Sequence, residues 1–318
     1  MTPTTPSTIP TARRWWTFAV VCVALFMTML DNLVVLTALP SIGRALKAGV
    51  ADLEWTVNAY TLAFAVLMLT GAALGERFGR RRVFLAGVAV FTLASASSAL
   101  SSSAVQLALS RGLQGLGAAL ITPLTLTMIT RVFPAEKRAA AIGLWSGISG
   151  LGLAIGPLVG GLVVQGLSWN AIFWLNVPTG IVLIVLGSLQ LDESWGDRSP
   201  LDIPGLALAG LGLLGVVYGL IRGNGLGWGS PQIVSALVGC VVLLALFIVR
   251  ERSAAALMLD LKLFASRDFS AANTVAFLMG AGMFGSIFLI TLFIQNVRGA
   301  SPLTAGLQTM PWTGTIMV

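Results

Sequence analysis

Apolar runs of about 20 residues recur from Trp15 to the end of the chain, split by short breaks rich in arginine, glycine or proline. A helix of that length crosses the roughly 30 Å hydrocarbon core of a bilayer at about 1.5 Å per residue, with every backbone polar group satisfied internally. Reading between the breaks gives nine spans, near 15–36, 54–75, 83–100, 105–130, 139–164, 171–190, 203–221, 232–249 and 270–295, and the start of a tenth from 303. The fold class this implies is an all-α polytopic membrane protein. Composition agrees, with 56% hydrophobic and only 10% charged residues, where a soluble domain carries about a quarter charged. Residues 1–14 are Pro/Thr-rich and expected to form a disordered cytoplasmic tail. Arg13-Arg14 before an apolar run could open a signal peptide, but the run leads into further spans and no clear cleavage site follows. Val318 falls about 16 residues into the tenth span, too short to cross, so the chain is expected to be truncated at its C-terminal end.

The chain has no histidine, which removes histidine acid–base catalysis, histidine metal ligation and any Ser-His or Cys-His dyad. Its two cysteines, Cys22 and Cys240, both lie inside apolar runs, so neither a disulfide framework nor a zinc site is expected. The net charge of +7 would suggest nucleic acid in a soluble protein; here it comes from arginines in short loops. With a cytoplasmic N-terminus, 14 lysines and arginines fall inside and 4 outside (Arg44, Lys47, Arg222 and Arg298), leaving Arg111 within a span. That asymmetry predicts a multi-pass protein of the cell membrane, N-terminus inside.

Five local patterns carry more than span count. The loop after the second span contains Gly71 through Leu74-Gly75-Glu76-Arg77-Phe78-Gly79-Arg80-Arg81-Arg82; as four arginines alone it is a positive-inside loop with a glycine turn. The fourth span holds Arg111-Gly112-Leu113-Gln114-Gly115-Leu116-Gly117, and a guanidinium in hydrocarbon is costly unless it faces a partner or a cavity or snorkels outward. In the fifth span Gly152, Gly156 and Gly160 fall four apart on one face, next to Pro157 and Gly161; small residues at that spacing let a neighbouring backbone approach. The end of the first span reads Leu30-Asp31-Asn32 through Ala38-Leu39-Pro40, and the sixth opens on Trp169-Asn170 and Phe173-Trp174-Leu175-Asn176-Val177-Pro178.

In order and in place, these patterns resemble the signatures of the major facilitator superfamily, and specifically its fourteen-span drug:proton antiporter branch (the EmrB/QacA type). The resemblance covers roughly residues 15–318. Four positions depart from it: Ala72 replaces a glycine, Glu76 an aspartate, Leu33 a threonine and Asn170 an arginine. The resemblance implies a complete N-terminal six-helix bundle at 15–190, built from two three-helix inverted repeats. Residues 191–268 would hold linkers and two additional, lipid-facing helices, with Asp260-Leu261-Lys262-Leu263-Phe264 as an amphipathic entry to the second half. Residues 269–318 would start the C-terminal bundle. It further implies that Arg111 serves proton translocation. Glu76, Arg77, Gly79, Arg80 and Arg81 would form a cytoplasmic gating loop that links the second span to the second half in the outward-open state. Gly152, Gly156, Pro157, Gly160 and Gly161 would mark an antiporter and pack the fifth span against a second-half helix.

Depth singles out one pair. Asp31 lies roughly 20 Å up the first span, and Arg111 roughly 9 Å below the outer face on the fourth, which runs the other way. These are the charges well inside the first-half spans, so each is expected to partner the other, with Asp31 as the proton or drug-cation carboxylate and Arg111 tuning it. The function expected is proton-coupled export of drugs or other lipophilic small molecules by alternating access. A dedicated exporter of a metabolite, antibiotic, lipid or peptide is the alternative, since the motifs report coupling and not cargo. An intramembrane enzyme would need a nucleophile–base pair, a metal cluster or an Asp-rich phosphate site, and a channel would need a filter sequence or charge ring; neither pattern is present in the sequence. The expected partners are a lipophilic substrate, protons and membrane lipid, without nucleic acid, cofactor or metal. The proton motive force supplies the energy, and the protein is expected to be a monomer.

Overall fold

The computed structural model describes residues 10–196, 202–252 and 261–314. The expected tail at 1–9, Asp260 at the expected amphipathic entry, and the last four residues lie outside the described residues. Among the described residues, ten principal helices follow in order: α1 Thr11–Leu46, α2 Val50–Phe78, α3 Arg80–Ala99, α4 Ala104–Val132, α5 Ala135–Gly166, α6 Ala171–Gln190, α7 Ile203–Leu226, α8 Pro231–Glu251, α9 Arg267–Leu292 and α10 Pro302–Gly314. Nine of them, α1 to α9, are long and apolar enough to cross a membrane, and no strand occurs among the described residues. The all-α polytopic architecture expected from the apolar runs is the one observed.

The first helix departs most from its expected bounds. It begins at Thr11, so residues 11–14 are helical and not tail, and it runs ten residues beyond 36, through Pro40. Proline removes one donor and crowds the carbonyl four residues back, yet here the chain around it is enclosed: Leu36, Ala38, Leu39, Pro40 and Ile42 are all buried. Tertiary packing on several sides holds the helix through the weak point. A positive-φ Lys47 (φ 52°) then caps it, and its backbone N–H donates to the Gly43 carbonyl. The sixth span is also not uniform: a first turn at Ala171–Trp174 is separated by Leu175 from the main helix, Asn176–Gln190.

Within the first six helices, α4 packs against α2 and α3, α1 against α5, and α3 against α6. The close approaches are made by small residues. Gly115 sits on the Tyr60 carbonyl, and Gly71 on the Ala119 carbonyl. That second carbonyl is the one Pro123 leaves without its helical donor, so a Cα–H group of α2 covers it. Of the expected small-residue motif on α5, Pro157 and Gly161 meet a second-half helix as expected, but Gly152, Gly156 and Gly160 have a different partner. Gly152 faces Phe26 and Met29, Gly156 faces Leu33 and Gly160 faces Val34 and Thr37, all on α1 and hence within the same six-helix unit. The other side of α5 meets the later part of the chain. Gly161 lies against Pro302 and Leu303, the Pro157 carbonyl packs on Gly306, and the Gln165 side chain accepts from the Leu303 N–H at 3.3 Å. Spacing fixed the face that is flat; it could not say which neighbour uses it.

Helices α7 and α8 form a hairpin in which Gly212 and Gly219 receive Leu244 and Leu237, and Gly215 meets Cys240. One side of the hairpin leans on α2, with Gly210 against Val66. Arg250 closes its open end on Asp202 at 2.6 Å. Leu211, Leu214, Leu220, Val238, Val241 and Leu246 remain exposed on its surface. A short 3-10 turn, Leu261–Ala265, precedes α9, and α9 ends in a π turn, Phe293–Val297. Gln295 in that turn donates to the Thr37 carbonyl of α1 at 2.9 Å.

Candidate functional site

Two apolar cores divide the first six helices. One gathers Phe18, Met27, Phe84, Phe91, Ile121 and Leu124; the other gathers Leu33, Leu36, Leu39, Leu107, Ile172 and Phe173. The residues that separate them along each helix are polar: Asp31 on α1, Ser95 on α3, Arg111 and Gln114 on α4, Asn176 on α6. All five are buried.

These side chains form one closed network. Arg111 pairs with Asp31 through its Nη1 and the Asp31 Oδ2, so the two residues that depth arguments placed at one level are in contact. The other carboxylate oxygen accepts from Asn176 Nδ2 at 2.7 Å and Gln114 Nε2 at 3.2 Å. Gln114 returns its oxygen to Arg111 at 2.9 Å and to the Ser98 hydroxyl at 3.1 Å, and its amide nitrogen also reaches Ser95 at 2.6 Å. Asn176 reaches the same Ser95 hydroxyl at 3.1 Å. Arg111 Nε donates to the Thr56 carbonyl of α2 at 3.4 Å, and its guanidinium lies 4.4 Å from the centre of the Tyr60 ring. Tyr60 in turn donates to the Thr28 carbonyl at 3.4 Å.

A guanidinium and a carboxylate taken out of water are tolerated only when paired and hydrogen-bonded on their remaining positions. Five helices supply those partners here. Three donors hold the Asp31 carboxylate, Arg111 on one oxygen and Asn176 and Gln114 on the other. Gln114, Asn176, Ser95 and Tyr60 were not singled out as site residues by sequence. The signal available was weak, uncharged polar residues inside membrane spans, two of them (Gln114 and Asn176) within the quoted motifs.

The gating-loop residues form a second, separate cluster. Arg80 grips Glu76 with Nε at 3.0 Å and Nη2 at 2.6 Å. Gly79 joins α2 to α3 with φ 106°, a conformation that side chains rarely adopt, and a Cβ there would lie 2.7 Å from the Glu193 carboxylate. Glu193 accepts from the backbone N–H groups of Arg81 at 3.0 Å and Arg82 at 3.3 Å, so it caps the start of α3. The Arg81 side chain donates to the Ser188 carbonyl, and Arg77 lies 5.6 Å from the Phe78 ring centre. Two backbone bonds complete the contact, Arg80 N–H to Ser194 at 2.8 Å and Gly196 N–H to Glu76 at 3.1 Å. The segment after α6, expected only as a linker, is thus a latch on the α2–α3 loop. Arg13 joins the same end through Asp192 at 2.5 Å. Asn170, the replacement that the sequence left unexplained, donates to the Ala99 carbonyl at 2.6 Å and satisfies the end of α3. No group of three or more Asp, Glu or Cys residues suited to a metal ion occurs among the described residues.

The chain is 38% identical over 316 residues to the "Tetracenomycin C resistance and export protein" of Streptomyces glaucescens, covering 99% of this chain and 59% of that protein. It is 37% identical over 300 residues to "Multidrug resistance protein Stp" of Mycobacterium tuberculosis, covering 92% and 55%. It is 35% identical over 300 residues to the "Methylenomycin A resistance protein" of Bacillus subtilis, covering 94% and 64%. The chain therefore spans less than two thirds of the length of these curated relatives. Among solved structures, the peptide transporter POT in complex with sulfate superposes with a TM-score of 0.56 at 17% identity, over 75% of this chain and 53% of that one. A bacterial homologue of the human lysosomal transporter Spinster gives 0.52 at 19% identity, over 78% and 63%. These two likenesses concern the fold alone. The model of the Major Facilitator Superfamily matches residues 21–318, and together with the helical architecture this places the chain in that superfamily.

Proposed function

We propose that this chain is part of a proton-coupled antiporter of the fourteen-span branch, exporting lipophilic small molecules across the cell membrane by alternating access. The observation that carries the reading is the buried Asp31–Arg111 pair inside a five-helix polar layer. A proton on Asp31 and the charge pairing with Arg111 are alternatives, because a protonated carboxyl carries no charge. Protonation cancels the attraction between α1 and α4 and frees the guanidinium to seek Tyr60 or water. That is a local event with two discrete arrangements, the kind of element that rocking halves can read.

Several features support the remaining parts of the proposal. The N-terminus of α1, the α2–α3 loop and the latch share one arginine-rich end, which fits a cytoplasmic location by the charge asymmetry. The α7–α8 hairpin, with its exposed leucines, fits two additional lipid-facing helices. The printed names of the relatives speak of antibiotic resistance and export, and they favour a second reading on cargo alone: a dedicated antibiotic exporter in place of a broad one.

The test is efflux from cells expressing the full-length protein, with and without a protonophore. Uncoupler-sensitive efflux, its loss in Asp31→Asn, and an Asp31→Asn/Arg111→Gln double variant no worse than the worse single change are the expected results. Efflux that is indifferent to the protonophore sinks the coupling, and losses that multiply independently sink the pair as its unit.

A further inference from the structure

Asp52 and Arg222 stand at the end of α2 opposite the latch. Asp52 lies in the first turn of α2, where one carboxylate oxygen accepts from the Gly49 N–H at 3.3 Å. The other oxygen faces the Arg222 guanidinium of α7 at 3.8 Å, and the two side chains are 39% and 42% exposed. An ion pair so long and so exposed contributes little, so either charge can take a further partner at small cost. Both line a cavity of about 250 Å³ between α2, α4 and α7, whose other walls include Trp55, Ala59, Val105, Ala108 and Leu109. Ala59 lies about 10 Å along α2 from Asp52, so the charges mark one end of a cleft and apolar side chains line the rest. Gly112 and Gly115 turn one side of α4 to α2, whereas Val105 and Leu109 are exposed on another. The cleft therefore opens on a surface that, for a membrane span, faces hydrocarbon.

Each property narrows the occupant. The volume is below the roughly 300–1,000 Å³ usual for an enclosed small-molecule site, and a cleft open along its side suits one acyl chain laid against α2 and α4. At the charged end, a free anion is repelled by Asp52 and a free cation by Arg222. A headgroup carrying both signs on neighbouring atoms answers both, with a phosphate for the guanidinium and an ammonium for the carboxylate. Choline has the charge but no N–H to donate, and a glycerol headgroup leaves Asp52 facing a net negative lipid. Ethanolamine supplies the phosphate, the positive charge and the donor together. Trp55, in the same wall, is of the residue type that gathers at headgroup level.

We propose that the cleft between α2, α4 and α7 binds one phosphatidylethanolamine molecule, its phosphate on Arg222, its ammonium on Asp52 and an acyl chain along Ala59, Ala108 and Leu109. The lipid would join the α7–α8 hairpin to the six-helix bundle beyond the Gly210–Val66 contact. Only its source in the outer leaflet rests on the cytoplasmic placement of the arginine-rich end; the site itself does not.

The probe is a phosphatidylethanolamine with a diazirine in the upper part of one acyl chain, photolysed with the purified full-length protein in mixed lipid–detergent micelles, with adducts located by peptide mass spectrometry. No gradient or transport is involved, so failed coupling in the efflux assay leaves this result readable. Adducts within residues 55–59 and 104–109 are expected. Unlabelled phosphatidylethanolamine should suppress them about tenfold more effectively than phosphatidylglycerol or phosphatidylcholine with the same acyl chains. Adducts around the exposed Val238 and Val241 of the hairpin should be suppressed equally by all three, as bulk lipid requires. Asp52→Asn, which still caps α2, should abolish the preference in the cleft, and Ala108→Phe, which fills the cleft and leaves both charges, should remove most of the labelling there. Absence of cleft adducts, equal suppression by the three lipids, a preference unchanged in Asp52→Asn, or labelling unchanged in Ala108→Phe each overturns the assignment.

Discussion

The polar layer around Asp31 and the latch around Glu193 use the same chemistry, carboxylates held by arginines and amides, at different degrees of burial. In the layer, the side chains of Asp31 and Arg111 are each 1% exposed, and five helices converge on them. In the latch, Arg82 is 76% exposed while its partner Glu193 is 16% exposed. The difference sets what each can do. Removing one partner from a buried pair leaves an uncompensated charge, a loss of about 3–5 kcal/mol, whereas exposed pairs contribute about 1 kcal/mol or less. On these magnitudes the layer is costly to disrupt, and the exposed Arg82–Glu193 pair is not.

The largest expected effect tests that contrast on stability. Arg111→Met should lower the thermal midpoint more than any latch substitution, because it strands the Asp31 charge among apolar cores. Adding Asp31→Asn removes the stranded charge and should recover a substantial part of the loss. Thermal unfolding of the detergent-solubilised protein reads both. A double variant as unstable as the sum of the single changes means that the two charges do not stabilise each other.

A second prediction uses the two sides of α5. A Cβ at Gly156 would lie 2.7 Å from the Leu33 Cβ, two residues from Asp31, whereas one at Gly161 would meet the Pro302 carbonyl at 2.6 Å. Gly156→Leu should therefore push α1 and disturb the polar layer, with an overpacking cost of about 1–3 kcal/mol and loss of efflux. Gly161→Leu should spare the layer and act on the approach of α10. Thermal midpoints and efflux, taken together, separate the two. A Gly156→Leu protein with wild-type melting and efflux would show that α1 is not held by this stripe.

What the sequence made legible follows the same physics. Asp31 and Arg111 stood out because a charge in an apolar run needs a reason, and depth along antiparallel spans was enough to pair them. Gln114, Ser95 and Asn176 carry no charge; Ser95 is one of several small polar residues of α3, and the motifs that include Gln114 and Asn176 gave them no partner, so their convergence emerged only in three dimensions. Glycine spacing identified the flat face of α5 but not whether α1 or the later helices would lie on it. The first span was expected to end near 36, but the helix runs on through Pro40 to Leu46, where the residues around the proline are buried. Glu193 lies more than a hundred residues from the α3 start it caps, and no local pattern links the two. The matching of spans to helices was the most legible part, since length and hydropathy act locally.

The latch itself yields a smaller effect. Glu193→Gln keeps a hydrogen-bond acceptor near the Arg81 and Arg82 N–H groups but removes the charge from the start of α3 and from Arg82. A charge at a helix start contributes about 0.3–1 kcal/mol at low salt, so the midpoint should fall slightly, and less at high ionic strength. Efflux should change in rate and not in its dependence on the proton gradient. If the variant abolishes coupling, the latch belongs with the polar layer and the contrast drawn between them fails.

The smallest effect concerns the clasp on the α7–α8 hairpin. Hydrogen bonds from Arg250, at 2.6 and 2.8 Å, are the main cause holding the Asp202 carboxyl below the usual carboxylate range; burial opposes them, and the Gly205 N–H at 3.0 Å assists. A carboxyl with a lowered folded-state pKa adds stability that is fully present above its unfolded value near 3.8 and disappears as pH falls through the folded value. Asp202→Asn isolates this charge, because asparagine still caps the start of α7. Its midpoint should lie slightly below wild type at neutral pH, and the gap should narrow only in acid below the ordinary carboxylate range. The difference between the two proteins cancels other groups that titrate in both. A gap that closes already around pH 6, or one that widens in acid, would mean that the carboxylate–Arg250 pairing is not what clasps the hairpin.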